Sequence, residues 1–253
     1  MLILFFRCAL LAALAAPAWA QGDLVALIAA AKPSVVALGT FNPTDSPRFG
    51  FRGTGFAVGD GTLVVTNFHV LPPGVDSENA PRFIAVSPRT PTGPVQRTAR
   101  VVATDRVHDL ALLKVDGTPL PPLALAEGEL APEGTSIALI GFPIAGALGF
   151  SPVTHKGILA AVTGIAPPVP TAQQLNERAV ARMREGNFEI YQLDAIAYPG
   201  NSGGPVFDVA RGQVLGVISS VAVKEGRESA LSRPTGISYA VPVRHVLELL
   251  KAR

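Results

Sequence analysis

Glycine and proline interrupt this chain every few residues, 25 and 23 of them in 253, and that punctuation limits what it can fold into. Neither residue sits well inside a helix or a central strand, so regular structure is confined to the short stretches between them. Those stretches are rich in Val, Ile and Leu, as in Leu63-Val64-Val65, Ala111-Leu112-Leu113-Lys114-Val115 and Ser136-Ile137-Ala138-Leu139-Ile140. Each has the length of a strand and is bounded by turn residues. Many such segments, with few long 3.6-periodic stretches, predict an all-β sandwich or barrel rather than alternating βαβ units. With 48% hydrophobic and only 16% charged residues, the chain has material for an ample core.

Three segments carry helix signals. Asp23 to Ala31 has an Asp cap and apolar residues at Leu24, Leu27 and Ile28; Thr171 to Glu185 is polar and charged; Val243 to Lys251 repeats apolar residues at Val243, Val246, Leu247 and Leu250 behind Pro242. The last is expected to dock on the β structure as a packing element. From Asp116 to Gly134 the composition shifts to Pro, Gly, Glu and Ala, and Pro119, Pro121, Pro122 and Pro132 oppose strand pairing. This linker divides the chain into β-rich halves, 21–126 and 127–253. The stretch Ala166 to Glu189 is long for a connection between strands and has the character of an inserted loop, either a lid or a solvated decoration. No internal repeat is evident, and no further domain is expected after Arg253.

Residues 1–20 read as a secretory leader: Arg7, the apolar run Cys8 to Ala16, then Ala18-Trp19-Ala20, with cleavage expected after Ala20. Neither side of Arg7 is long enough to span about 30 Å of hydrocarbon, so no stable membrane insertion is expected after cleavage. A periplasmic or secreted location follows. The only cysteine, Cys8, falls inside the leader, so the mature chain has neither a disulfide nor a thiolate metal site and must hold by packing alone. That suits a bacterial-type envelope better than a disulfide-dense secretion. A formal net charge of +2 argues against nucleic acid or anionic lipid as main partner. No His or carboxylate cluster has ligand spacing, and no phosphate-binding glycine loop opens a helix, so neither metal nor cofactor is expected.

The most informative residues are Gly200-Asn201-Ser202-Gly203-Gly204-Pro205. Amide hydrolysis needs an exposed nucleophile on a tight turn, with backbone N–H groups aimed at the developing oxyanion. A solvent-facing Ser on a glycine-rich turn is the bland alternative. A serine hydroxyl is a poor nucleophile until an imidazole takes its proton, and the chain offers four histidines. His69 follows the apolar segment Leu63 to Phe68; His108, His155 and His245 compete with it. Asp109 immediately precedes an apolar strand, where a carboxylate is partly buried and can fix an imidazole tautomer; Asp105 is its rival. The order His, Asp, Ser is that of chymotrypsin-like enzymes rather than of subtilisins or α/β-hydrolases.

With these motifs the chain resembles the trypsin-like serine proteases, and within them the HtrA/Deg branch of envelope proteases. The markers are Gly53-Thr54-Gly55-Phe56, Thr66-Asn67-Phe68-His69-Val70, His108-Asp109-Leu110-Ala111-Leu112-Leu113, Gly141-Phe142-Pro143, Asp194-Ala195, the Gly200 to Pro205 segment and Gly236-Ile237-Ser238-Tyr239-Ala240-Val241-Pro242. The resemblance implies a chymotrypsin-like double barrel, two six-stranded antiparallel β-barrels with a C-terminal helix, His69 and Asp109 coming from the first and Ser202 from the second. It implies Ser202 as nucleophile, His69 as general base then acid, Asp109 as its orienter, and the N–H groups of Gly200 and Ser202 as oxyanion hole. The substrate pocket it implies is lined by Ile196, by Ser219, Ser220 and Val221, and by Gly236. Asn201 stands where animal zymogens carry an Asp, so activation by an inserted N-terminus is not expected, and the chain reads as lacking the PDZ domain of better-known members.

Polypeptides are therefore the expected partners, with cleavage of exposed or unfolded segments after small or medium aliphatic residues, because Ile196 and Val221 are apolar and no acid lies at those positions to select Lys or Arg. The alternatives are a catalytically silent binding or chaperone-like protein on a protease scaffold and an esterase using the same residues.

Overall fold

Several apolar runs of this chain show no alternation of apolar and polar residues, as antiparallel strands exposed on one face would. The reason is visible in the computed structural model, which describes residues 24–75, 82–87, 93–144, 151–164, 188–219 and 237–253. Strands β1 (Val35–Phe41), β2 (Phe49–Val58), β3 (Leu63–Asn67), β4 (Arg82–Val86), β5 (Gln96–Asp105) and β6 (Leu110–Val115) form one closed barrel in the order β1-β2-β3-β6-β5-β4, with β4 paired back to β1. Strands β7 (Ser136–Gly141), β8 (Val153–Gly164), β9 (Glu189–Asp194), β10 (Pro205–Asp208), β11 (Val214–Ile218) and β12 (Ile237–Pro242) close a second in the order β10-β11-β12-β9-β8-β7. All strand pairs are antiparallel, and register shifts at Leu38/Gly39, Val101/Ala103, Leu159/Ala161 and Val206/Phe207 bend the strands as closure requires. The two six-stranded barrels that the resemblance implied are present.

Three apolar cores hold this arrangement. Val36, Leu38, Val64, Phe83, Ala111 and Leu113 fill the first barrel, and Ile137, Leu139, Leu159, Leu193, Val206 and Leu215 fill the second. The alternate residues of the same strands, Val35, Ala37, Phe56, Leu63, Val65, Leu110 and Leu112, meet Ile140, Phe142, Phe207, Val214, Val217 and Val241 in a third core shared between the barrels. Strands such as β3 and β6 are buried on both faces, and this is why their sequences read as continuous apolar runs. Each fully buried Leu, Ile or Phe contributes about 1.5–3 kcal/mol.

The linker crosses between the barrels by backbone bonds. Leu120 N–H donates to Gly61 O (2.9 Å) and Leu123 N–H to Ala57 O (2.9 Å) in the first barrel, then Ala126 N–H donates to Val214 O (2.9 Å) in the second. Only an isolated bridge, Leu125 with Val214, interrupts its irregular path. Helix α1 (Leu24–Ala31) matches the first helix expected, and Leu27 and Ala31 pack on the shared core. The expected helix Thr171 to Glu185 lies outside the described residues. Helix α2 (Arg244–Lys251) follows Val243; Val243 and Val246 of the expected stripe are buried and Leu250 packs on the shared core, but the buried face also takes in His245 and Leu249, which the stripe did not include. His245, Val246 and Leu249 are buried while Leu247 is only partly so, because the helix lays this side against the first barrel. No described helix is long and apolar enough to cross a membrane.

Candidate active site

Strand β3 ends at Asn67, and a 3₁₀ turn, Phe68–Val70, turns His69 off the barrel end. Arg52 secures that turn by donating from Nε to Val70 O (2.6 Å) and from Nη2 to Leu71 O (2.9 Å). Asp109 sits one residue before β6 with φ at +54°, a left-handed conformation that Asp tolerates better than most residues. Its backbone carbonyl accepts from Phe68 N–H (2.9 Å) and Asn67 Nδ2 (3.0 Å). Its side chain accepts from His69 N–H on Oδ1 (3.0 Å) and pairs with His69 Nδ1 through Oδ2 (2.7 Å). The two side chains are 26% and 21% exposed, so the pair lies at a rim, reachable from solvent but shielded. From the second barrel, Ser219 Oγ donates to the same Oδ2 (3.0 Å).

The rival residues are engaged elsewhere. Asp105 accepts from the Val107 and His108 N–H groups (3.0 Å each) and pairs with His108 Nδ1 at 2.6 Å. Burial works against its charge, yet the His108 side chain and these turn N–H groups hold its carboxyl below the usual carboxylate range. His108 stacks on His245 of α2 with ring centroids 3.7 Å apart. His155, on β8, lies near the Tyr198 ring at 5.8 Å, and burial pushes its imidazole pKa down.

Ser202, 4% exposed, enters from the turn before β10. Its carbonyl accepts from Thr54 N–H of β2 (2.8 Å), across the junction of the barrels. A Cβ at Gly53 would lie 2.7 Å from Val70 Cγ2 and 3.0 Å from Ser202 O. The missing side chain thus lets the serine backbone close on the segment that carries His69. In the same turn Pro199 O accepts from Ile144 N–H (2.9 Å) and Asn201 O from Gly204 N–H (2.9 Å). Because a trans peptide points its N–H opposite to its C=O, these two bonds turn the N–H groups of Gly200 and Ser202 away from their carbonyl anchors. Ile144 itself adopts a positive φ of +48° to make its bond. Three side chains from distant parts of the chain, His69, Asp109 and Ser219, thus share one bonded cluster beside the Ser202 turn.

Residues 53–217 match the model of the trypsin-like peptidase domain. The chain belongs to that family. Its relatives include a "Probable periplasmic serine endoprotease DegP-like" of Pseudomonas putida, 31% identical over 196 residues, covering 78% of this chain and 35% of the relative. One of the same name from Hahella chejuensis is 29% identical over 198 residues, covering 78% and 34%. The chain therefore spans about a third of the length of the curated relatives it matches. Among solved structures, Deg5 aligns with a TM-score of 0.61 at 24% identity over 88% of this chain and 90% of that one. An HtrA-type protease with a tripeptide aligns at 0.62 and 24% over 91% and 63%. These structures share the double-barrel fold.

Of the residues proposed for the substrate pocket of this trypsin-like domain, Ile196 follows β9 and is 38% exposed, while Ser219 is buried at 4% with its hydroxyl directed to Asp109. Ser220, Val221 and Gly236 lie outside the described residues. Ser238 Oγ donates to Ala195 O (2.6 Å) and accepts from Ala197 N–H (2.8 Å), fixing the backbone on both sides of Ile196. The bond from Ser219 to Asp109 had no sequence signal, since a Ser beside an apolar strand is common. Thr54, whose hydroxyl donates to Gly200 O (2.7 Å), lies in the segment Gly53-Thr54-Gly55-Phe56, where nothing in the residue pattern marks a partner so distant in the chain. Among the described residues, no three His, Cys, Asp or Glu side chains gather as a metal site would require.

Proposed function

We propose that this chain is a serine endopeptidase that cleaves exposed or unfolded polypeptide segments through an acyl-enzyme. The observation that carries the reading is the 2.7 Å bond between His69 Nδ1 and Asp109 Oδ2, which orients the imidazole with Nε2 as the proton acceptor. In the proposed reaction Ser202 Oγ attacks the scissile carbonyl as Nε2 of His69 takes its proton. Asp109 stabilises the imidazolium, and the N–H groups of Gly200 and Ser202 receive the oxyanion. His69 then returns the proton to the leaving amine, and water repeats the sequence to release the acyl group. The boundary between the two barrels is proposed at residues 126–127.

The preference proposed is for Val, Ala, Ile or Leu before the scissile bond, resting on the apolar side chains of Ile196 and Val221. Export with cleavage after Ala20 is proposed from the leader pattern, and the periplasmic names of the relatives support it. The experiment is covalent labelling of the purified protein by a serine-directed fluorophosphonate, with cleavage profiling of a denatured protein. Labelling is expected on Ser202 and is expected to vanish in Ser202→Ala. An unlabelled chain with no peptide cleavage overturns the reading, and dominant cleavage after Lys or Arg overturns the pocket assignment alone.

A further inference from the structure

Gly200 has φ at +102° and no side chain, so nothing in its own residue type keeps the peptide groups beside it in one orientation. Two contacts from outside the turn do. On one side Pro199 O is held by Ile144 N–H, from the segment that follows β7, at 2.9 Å. On the other, Gly200 O accepts from Thr54 Oγ1 at 2.7 Å, and Thr54 belongs to β2 in the opposite barrel, 146 residues away.

Thr54 is itself tightly held. It is fully buried, at 0% exposure. Its N–H donates to Ser202 O (2.8 Å), its carbonyl accepts from Thr66 Oγ1 (2.7 Å), and its hydroxyl oxygen accepts from Phe142 N–H (3.1 Å). The Phe142 bond occupies a lone pair of the hydroxyl and leaves its proton for Gly200 O, so the donor direction is defined. One side chain thus connects β2, the end of β7 and the Ser202 turn.

From this geometry we infer that Thr54 is a positioning residue: its hydroxyl fixes the Gly200–Asn201 peptide and thereby pre-sets the oxyanion donors from the other barrel. The inference rests on the proposed serine-protease reading. Oxyanion stabilisation depends on donors that need no reorganisation at the moment of reaction. Without the hydroxyl the turn gains freedom about Gly200, and the cost falls on the transition state rather than on substrate binding.

The test compares Thr54→Val, Thr54→Ser and Thr54→Cys with the wild type, on a chromogenic peptide substrate and against a peptide aldehyde that mimics the tetrahedral intermediate. Thr54→Val is expected to lower kcat roughly 10- to 100-fold at unchanged KM, with aldehyde affinity falling by a similar factor. Thr54→Ser is expected to stay within about threefold of wild type, since it keeps the donor. If Thr54→Val fails to fold, Thr54→Cys decides, because a thiol of similar size to serine is a weak donor and is expected to be impaired where Thr54→Ser is not. Wild-type kcat in the folded Val or Cys variant, or equal impairment in the Ser variant, overturns the inference. A wild-type protein that neither cleaves peptides nor takes up fluorophosphonate overturns the underlying reading, a separate and recognisable failure.

Discussion

Asp109 accepts hydrogen bonds from Phe68, Asn67, the backbone and ring of His69, and Ser219. The backbone bonds fix where the carboxylate stands, and the side-chain bonds fix which way it faces. Asn is nearly isosteric and also tolerates a positive φ, so Asp109→Asn should keep the fold. Its amide, however, presents one acceptor where the carboxylate presents two. With Nδ2 toward the ring, the imidazole is driven to the tautomer that cannot accept the serine proton. On the proposed triad assignment, steady-state kinetics should show kcat about 10,000-fold lower with KM little changed. Ser219→Ala removes one of the two bonds on Oδ2 and leaves the His69 bond in place. A hydrogen bond to a charged group contributes about 1.5–3 kcal/mol, so kcat/KM should fall by roughly 10- to 100-fold on the conversion of about 1.4 kcal/mol per decade. An unchanged kcat/KM in Ser219→Ala would show that the bonds from Phe68, Asn67 and His69 suffice to hold Asp109.

At the scale of elements, α2 meets the first barrel through the stacked rings of His245 and His108, with Phe188 edge-on to His108 at 4.7 Å. His108 faces Asp105, and His245 faces Glu248 at 3.1 Å and Arg244, which also reaches Glu189 at 3.2 Å. Arg244 Nε donates to His245 Nε2 (3.3 Å), so that nitrogen bears a lone pair and the proton resides on Nδ1, toward Glu248. Burial, then the neighbouring His108, push the His245 pKa down, against the opposing pull of Glu248. The folded chain therefore binds a proton on this ring less readily than the unfolded chain does. Stability is complete above the unfolded histidine pKa of about 6.5 and is lost as pH falls below it toward the lowered native value. His155 carries the same sign. Asp105, whose carboxyl is held below its ordinary range in the fold, adds a separate loss that begins as pH falls below the unfolded carboxylate value of about 3.9 and continues toward its lowered native value. Melting temperatures measured from pH 7.5 to pH 5 should fall for the wild type and fall less for His245→Phe, which keeps a ring in the stack without a titrating group. A pH profile as steep in His245→Phe as in the wild type would place the acid sensitivity elsewhere.

Over the whole molecule, the apolar runs that became β3, β6 and β7 were legible because turn residues close them off, and the proposed catalytic residues were legible because each stands in a short motif. The contacts that join the barrels were not. A Thr in β2 carries no mark that its hydroxyl will meet a glycine carbonyl 146 residues later, and a helical His reads as polar, so the stripe chosen on α2 passed over His245. The shared core escaped for a related reason: runs such as Leu63-Val64-Val65 reveal burial but not that the two faces belong to different cores. That division has a mechanical consequence. Phe207 belongs by sequence to the second barrel, is 1% exposed, and lies in the same core as Val65 and Leu112 of the first. Phe207→Ala should cost about 3–5 kcal/mol. If the barrels unfold as one unit through this core, the loss is felt on both sides of it. Native-state hydrogen exchange provides the measurement: the amides of Val65 and Leu112 should exchange faster by the same factor as that of Leu139, roughly two to four orders of magnitude on that free-energy scale. Acceleration limited to Leu139 and its barrel would mean that each barrel carries its own stability and that the shared core only aligns them.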